Sequence, residues 1–272
     1  MSESPILVVK IGGSTLGSHD TTLEDLVALQ GQADARRAWR PLVVHGGGAT
    51  ISEWLKVHDT PTRFVRGLRV TDAASLRVVV AVLGGLINKE LVTAINARGG
   101  RAVGLSGADG ALIRVSVLDP ELGYVGQIER VDGDMLMGLL DEGYLPVVAP
   151  LGLLWQDERP RDQIMNINAD TVAGEVALAL GARWLVFLTD VPGIAGRDGR
   201  SLARLSPEEA AALVEEGVVS GGMIPKVEAC LRAATGGTRT AIIDGRQPHV
   251  LLAALERGEL AGTIIGPEEA ND

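Results

Sequence analysis

Short apolar runs rich in β-branched residues recur along the chain at Ile6–Ile11, Leu42–Val44, Ala102–Leu105, Leu145–Val148, Trp184–Leu188 and Thr240–Ile243. They are continuous rather than alternating, which predicts buried strands covered on both faces. Between most of them lie longer stretches of helical period. One begins after Thr71 or Asp72, either of which can cap free N–H groups, and runs to about Arg98, where Gly99-Gly100 stops it. Gly84-Gly85 inside it predict a kink or a close helix contact. Further helices are expected over Thr171–Leu180, over Pro207–Glu216 behind Ser206, and over Lys226–Thr235. This alternation predicts an α/β fold, a three-layer αβα sandwich around an open, mainly parallel sheet. Ala111–Val131 breaks the rhythm, because LIRVSVL and YVGQIERV alternate apolar and polar around Asp119-Pro120-Glu121-Leu122-Gly123. A peripheral antiparallel β-hairpin is expected there.

Composition narrows the classes. The 272 residues are 46% hydrophobic and 22% charged, enough for a large core. With 25 Lys+Arg against 35 Asp+Glu the net charge is −10, the wrong sign for a general nucleic-acid binder. Cys230 has no disulfide partner, and the four histidines lack metal-site spacing, so no protein-held metal is expected. The N-terminus lacks a secretory pattern and no uninterrupted apolar window of about 18 residues occurs, so a cytoplasmic protein without a membrane partner is expected.

Glycine carries the chemical signal. Gly12-Gly13, Gly46-Gly47-Gly48, Gly104 with Gly107, and Gly221-Gly222 all fall at turns, the first three groups at or just after predicted strand ends, and the crevice beyond strand carboxyl ends is where open sheets bind ligands. Backbone N–H groups at helix N-termini attract anions there. In an acidic protein the cations beside such loops stand out: Lys10, Arg69 and Lys226. Each has a plainer alternative, since Lys10 can snorkel, Arg69 can pair with Asp72 at the surface, and Lys226 can sit on a solvated helix face. His45 reads as a satisfied strand-end histidine. No GxxxxGK[ST], no strand-borne GxGxxG, no kinase DFG set and no GxSxG occurs, so any nucleotide cradle is of another kind.

Lys10-Ile11-Gly12-Gly13, His45-Gly46-Gly47-Gly48, Gly67-Leu68-Arg69-Val70-Thr71-Asp72, Asn88-Lys89-Glu90-Leu91, Gly104-Leu105-Ser106-Gly107, Gly143-Tyr144-Leu145-Pro146-Val147, Asn166-Ile167-Asn168-Ala169-Asp170, Thr189-Asp190-Val191-Pro192-Gly193 and Gly221-Gly222-Met223-Ile224-Pro225-Lys226 follow one another along the chain. In that order, from about Leu7 to Gly266, they resemble the amino acid kinase family, and within it the members that phosphorylate the side-chain carboxylate of N-acetyl-L-glutamate in arginine biosynthesis. The resemblance implies ATP, with Mg2+ held mainly by its phosphates. It implies that Lys10 and Lys226 stabilise the transferring phosphoryl group and that Asp170 holds both ammonium groups. Gly12, Gly13 and Gly46 to Gly48 would line the phosphoryl path, with Gly47 and Gly48 bordering the acceptor, and Arg69 and Asn166 would grip the acceptor's α-carboxylate and acetamido group. Asp190 to Ala195, including Val191, Gly193 and Ile194, with Thr189 before them and Val218, Val219 and Ser220, would form the adenine-ribose pocket. The resemblance also implies an acceptor-binding and dimerising lobe over 1–180, a nucleotide lobe over 181–272, a homodimer, and weak or absent feedback by arginine. Two other readings stay open. One is a kinase for carrier-linked aminoadipate, which the acidic net charge disfavours. The other is a silent amino acid sensor, which joint retention of Lys10, Asp170 and Lys226 disfavours.

A carboxylate acceptor, with an ordinary pKa near 4.3, is ionised at neutral pH, so transfer to it needs cations and alignment rather than a general base.

Overall fold

The computed structural model describes residues 4–12, 21–31, 39–256 and 260–266; Gly13 lies outside them. In chain order the elements are β1 (Ile6–Ile11), α1 (Thr22–Gln30), β2 (Arg40–His45), α2 (Gly48–Val57), β3 (Phe64–Val65), β4 (Leu68–Arg69), α3 (Ala73–Val80) and α4 (Asn88–Ala97). Then come β5 (Ala102–Gly107), β6 (Ile113–Val117), β7 (Gly126–Val131), α5 (Gly133–Asp141), β8 (Leu145–Gln156), β9 (Arg159–Asn166), α6 (Ala169–Ala179) and β10 (Trp184–Thr189). The last are β11 (Arg204–Leu205), α7 (Pro207–Glu215), α8 (Ile224–Ala234), β12 (Arg239–Asp244), α9 (Val250–Glu256) and β13 (Gly262–Ile265).

The main sheet runs β11-β13-β12-β10-β1-β2-β8-β6-β7, with β5 and β9 also paired to β8. Its centre, β12-β10-β1-β2-β8 with β5 on β8, is parallel throughout. The continuous apolar run of β1 follows from burial on both faces: Ile6 and Val8 join one core cluster, Leu7, Val9 and Ile11 the other. Because side chains alternate along a strand, Lys10 leaves β1 on the Ile6–Val8 face, where α6 packs.

The expected hairpin is present as antiparallel β6 and β7. Other features were not expected. Strand β8 continues to Gln156 and turns into antiparallel β9 through Asp157 and Glu158, both at positive φ. A turn of that hand favours glycine, and without glycine the sequence offers no obvious signal. The strands β11 and β13, at one end of the sheet, are too short for periodicity to reveal. The long helix is unbroken from Ala73 to Ala97, with Gly84-Gly85 inside a π-helical stretch, Ala81–Ile87, rather than at a sharp kink. That run is apolar and long enough to cross a membrane, yet it packs on the sheet, burying Leu76, Val79, Val82, Leu83, Leu91 and Ile95.

Candidate active site

The ends of β1 and β2 and the N-termini of α2, α6 and α8 meet over the carboxyl side of the sheet. Asp170, in the first turn of α6, is almost completely buried. Lys10 Nζ lies 2.8 Å from its Oδ1, and Lys226 Nζ lies 3.0 Å from its Oδ2. Lys226 also donates to Gly222 O at 3.1 Å, tying the turn before α8 into the cluster. So the snorkelling and solvated-face alternatives fail, because both ammonium groups converge on one carboxylate. Their meeting has a packing cause. Gly174, one turn beyond Asp170, lies so close to Ala229, one turn beyond Lys226, that a Cβ would stand 2.9 Å from Ala229 O. Only glycine lets α6 and α8 approach closely enough for the preceding turns to share an ion pair.

Asp170 is free for this because it does not cap its own helix. Asn168 does, its Oδ1 accepting from the N–H groups of Asp170 (2.8 Å) and Thr171 (3.2 Å). The Asn-x-Asp spacing divides the labour: the amide satisfies the helix end while the carboxylate faces the cations.

On the Lys10 side of Asp170 opens a pocket of about 240 Å³, lined among others by Gly46, Gly47, Gly48, Phe64, Arg69 and Asn166. Gly46 N–H donates to Ile11 O at 2.9 Å, so this amide is spent on the sheet rather than open to a ligand. A Cβ on Gly47 would stand 2.6 Å from Ile87 Cδ1 and 2.7 Å from Leu83 Cδ2, so a larger residue there would require the ends of those two side chains to shift. Gly47 and Gly48 open α2, whose first-turn N–H groups have no intrahelical acceptor.

Arg69 does not pair with Asp72, which instead accepts from Ser75 N at 2.7 Å and caps α3. Its Nη2 donates to Ser52 Oγ (2.8 Å) and Gly48 O (3.1 Å), and its guanidinium lies 4.8 Å from the Phe64 ring centroid. Its Nη1 is buried without a hydrogen-bond partner among the described residues. Burial pulls this guanidinium below its ordinary pKa. A buried N–H donor left open beside a pocket fits an incoming anion.

His45 is buried and satisfied at the end of β2. Its Nδ1 lies 3.0 Å from Gly46 O and its Nε2 3.3 Å from Asn88 Nδ2. An amide NH2 only donates, so Nε2 is the acceptor and Nδ1 carries the proton. Burial first, then the charges of Lys10 and Lys89, lowers its pKa to about 4 against the donation to Gly46 O, which works the other way. A folded value below the ordinary 6.5 means the unfolded chain binds the proton more readily. Stability therefore rises with pH between about 4 and 6.5, by about 3 kcal/mol in all. Denaturant unfolding at several pH values across that window should give a slope that flattens in His45→Asn; equal slopes would contradict it.

The nucleotide-side residues expected from the sequence cluster at the end of β10 and before α8, outside the lining of this pocket. Asp190, Val191 and Ser220 are exposed and Val218 is half-buried, whereas Ile194 and Val219 lie in the core. The Thr189 hydroxyl is engaged within the protein, donating to Val191 O (2.8 Å) in its own loop or to Ile243 O (3.2 Å) on the neighbouring strand β12. Gly193, at φ 140°, approaches Thr263 so closely that a Cβ would stand 2.6 Å from its Oγ1. Gly12 follows β1 at the same edge.

Sequence reasoning did not single out Ser52, Phe64 or Asn168 as site residues. Asn168 had only a weak signal, because it stands three positions before the expected helix start at Thr171, whereas α6 begins at Ala169.

A profile of the amino acid kinase family matches residues 5–244. The chain belongs to that family. Among its relatives, the acetylglutamate kinase of Dehalococcoides mccartyi (strain BAV1) is 43% identical over 97% of this chain and 96% of its own length. The acetylglutamate kinase of Thermosynechococcus vestitus is 45% identical over 97% of this chain and 90% of its own. Among solved structures, smu.665 from Streptococcus mutans UA159 superposes with a TM-score of 0.79 at 26% identity, covering 97% of this chain and 99% of that one. The α/β architecture expected from the alternating pattern is thus that of the amino acid kinases.

Proposed function

We propose that this chain transfers the γ-phosphoryl group of ATP to the side-chain carboxylate of N-acetyl-L-glutamate, giving an acyl phosphate and ADP, as a step of arginine biosynthesis. The observation that carries the reading is the Asp170 carboxylate shared by Lys10 and Lys226 beside a pocket with an unpartnered arginine N–H. The relatives named acetylglutamate kinase, matched over nearly the whole chain, support it.

In this reading the acceptor occupies the pocket with its α-carboxylate on Arg69 Nη1 and its acetamido group at Asn166. Its side-chain carboxylate, ionised at neutral pH, attacks the γ-phosphorus; the P–O bond to ADP breaks, and no proton moves. Lys10 lies on the acceptor side of Asp170 and stabilises the phosphoryl oxygens there, with the α2 N–H groups of Gly47 and Gly48. Lys226 stabilises the charge that grows on the leaving ADP. Asp170 keeps the two cations from repelling one another apart. Among the described residues no cluster of His, Cys, Asp or Glu could hold a metal ion, so Mg2+ would be held mainly by the phosphates and would neutralise part of their charge. The base and ribose sit among Thr189, Asp190, Val191, Gly193 and Ser220, with Ile194 and Val219 supporting the loops from within. Acceptor binding thus belongs to 1–180 and nucleotide binding to 181–272, in a cytoplasmic homodimer.

Incubation with ATP, Mg2+ and a panel of acyl-amino acids, with hydroxylamine to trap acyl phosphate, should yield hydroxamate with N-acetyl-L-glutamate. Its absence across the panel would refute the reading and favour a silent sensor. Arg69→Ala should raise the half-saturating acceptor concentration by about 10²-fold, the loss of a charge-assisted pair, with a much smaller change for ATP. Equal changes for both substrates would remove Arg69 from the acceptor site.

A further inference from the structure

Thr71 is fully buried. It does not line the pocket, yet its hydroxyl joins the main chain of Arg69 to the side chain of Asn166, the two residues assigned to the acceptor: Thr71 Oγ1 is 3.1 Å from Arg69 O and 3.1 Å from Asn166 Nδ2. A hydroxyl has one proton, and a carbonyl oxygen can only accept. The proton of Thr71 is therefore committed to Arg69 O, and towards Asn166 the hydroxyl can only accept. That leaves the Asn166 amide one orientation, NH2 towards Thr71 and Oδ1 turned away. Asn166 lines the pocket, and Oδ1 has no hydrogen-bond partner among the described residues. The main chain of Thr71 is itself anchored, its N–H donating to Leu122 O (2.9 Å) and its carbonyl accepting from Tyr124 N (2.8 Å).

We propose that Thr71 is a positioning residue that gives the acceptor pocket its polarity, presenting a fixed acceptor, Asn166 Oδ1, beside a fixed donor, Arg69 Nη1. An amide that could flip would take an N–H or an oxygen at that point of the ligand almost equally. A locked one discriminates, selecting an acyl-amino acid whose amide N–H faces Oδ1 and rejecting the acyloxy isostere, whose ester oxygen would meet Oδ1 lone pair to lone pair. This rests on the acceptor assignment proposed above.

The test compares N-acetyl-L-glutamate with 2-acetoxyglutarate, its ester isostere, in the native protein and in Thr71→Val and Thr71→Ser. The native protein should prefer the amide by about 10²-fold in kcat/KM, the cost of leaving Asn166 Oδ1 unpaired against the ester oxygen. Thr71→Val, which keeps shape but removes the hydroxyl, should raise the half-saturating concentration of the amide about tenfold and compress the preference towards unity. Thr71→Ser should restore both. A merely structural role would weaken the two acceptors alike and leave their ratio untouched. An unchanged ratio in a folded Thr71→Val overturns the proposal. If that variant does not fold, the native ratio still decides: a value near one overturns the proposal while leaving the kinase reading intact. Failure of the native protein to turn over either acceptor removes both.

Discussion

Lys226→Ala should lower turnover about 10²–10³-fold, equivalent to about 3–4 kcal/mol in the barrier, with the acceptor's half-saturating concentration little changed. The reason lies in where charge develops. In a loose phosphoryl transfer negative charge moves towards the leaving oxygen, and an ammonium held in place stabilises the transition state more than the bound ground state. Lys226 is held twice, by Asp170 Oδ2 at 3.0 Å and by Gly222 O at 3.1 Å, so little reorganisation is needed at the moment of transfer. Lys10→Ala should lose a similar factor. Because both lysines act on one group through one carboxylate, the double variant should lose clearly less than the product of the two losses. Steady-state kinetics of the three variants decide this. Near-native turnover in either single variant would show that the ion cluster is structural.

Asp170→Asn should have an effect of similar size by a different route. The carboxylate is 7% exposed, with ammonium groups on both oxygens. An amide of the same shape accepts on one side only and turns an NH2 towards the other cation, leaving two like charges in a poorly hydrated place. Breaking one partner out of a buried ion pair costs roughly 3–5 kcal/mol, discounted to about 3 here because Lys226 keeps some contact with water. The melting temperature of the free protein should therefore fall by roughly 5–10 °C. Turnover should fall about 10²-fold or more as both lysines lose their common anchor. ATP affinity, in contrast, should hold or improve, since a site stripped of its anion is more positive towards the triphosphate. Calorimetric titration with ATP beside single-turnover kinetics separates these. A loss of ATP affinity together with turnover would mean that Asp170 touches the nucleotide rather than organising the lysines.

Much of the fold was legible because burial writes itself into local pattern. The runs at β1 and β10 are continuous because both faces of the sheet are covered, and the Ser206 cap of α7 carries its full capping box with Glu209. The turn between β8 and β9 was not legible, because Asp157 and Glu158 adopt positive φ without the glycine that usually marks it. At the site, residue types indicated an anion cradle, but type alone did not apportion roles. Asn168 rather than Asp170 caps α6, and the Gly46 N–H serves the sheet rather than a ligand. Thr71, which the sequence offered as one possible helix cap, leaves that task to Asp72 and instead joins Arg69 to Asn166.

The sequence by itself determined an acidic α/β protein with glycine loops after its strands, three conspicuous cations and the ordered motifs of the amino acid kinases, since hydrophobic period, turn chemistry and charge are local properties. Only the tertiary structure decided that Lys10, Asp170 and Lys226 form one cluster, because partners separated by more than 50 residues meet only through strand order and the close packing of α6 on α8 at Gly174. It also decided which polar atoms are satisfied within the protein and which, like Arg69 Nη1, remain open to a ligand, for hydrogen-bond directions exist only once the groups are placed in space.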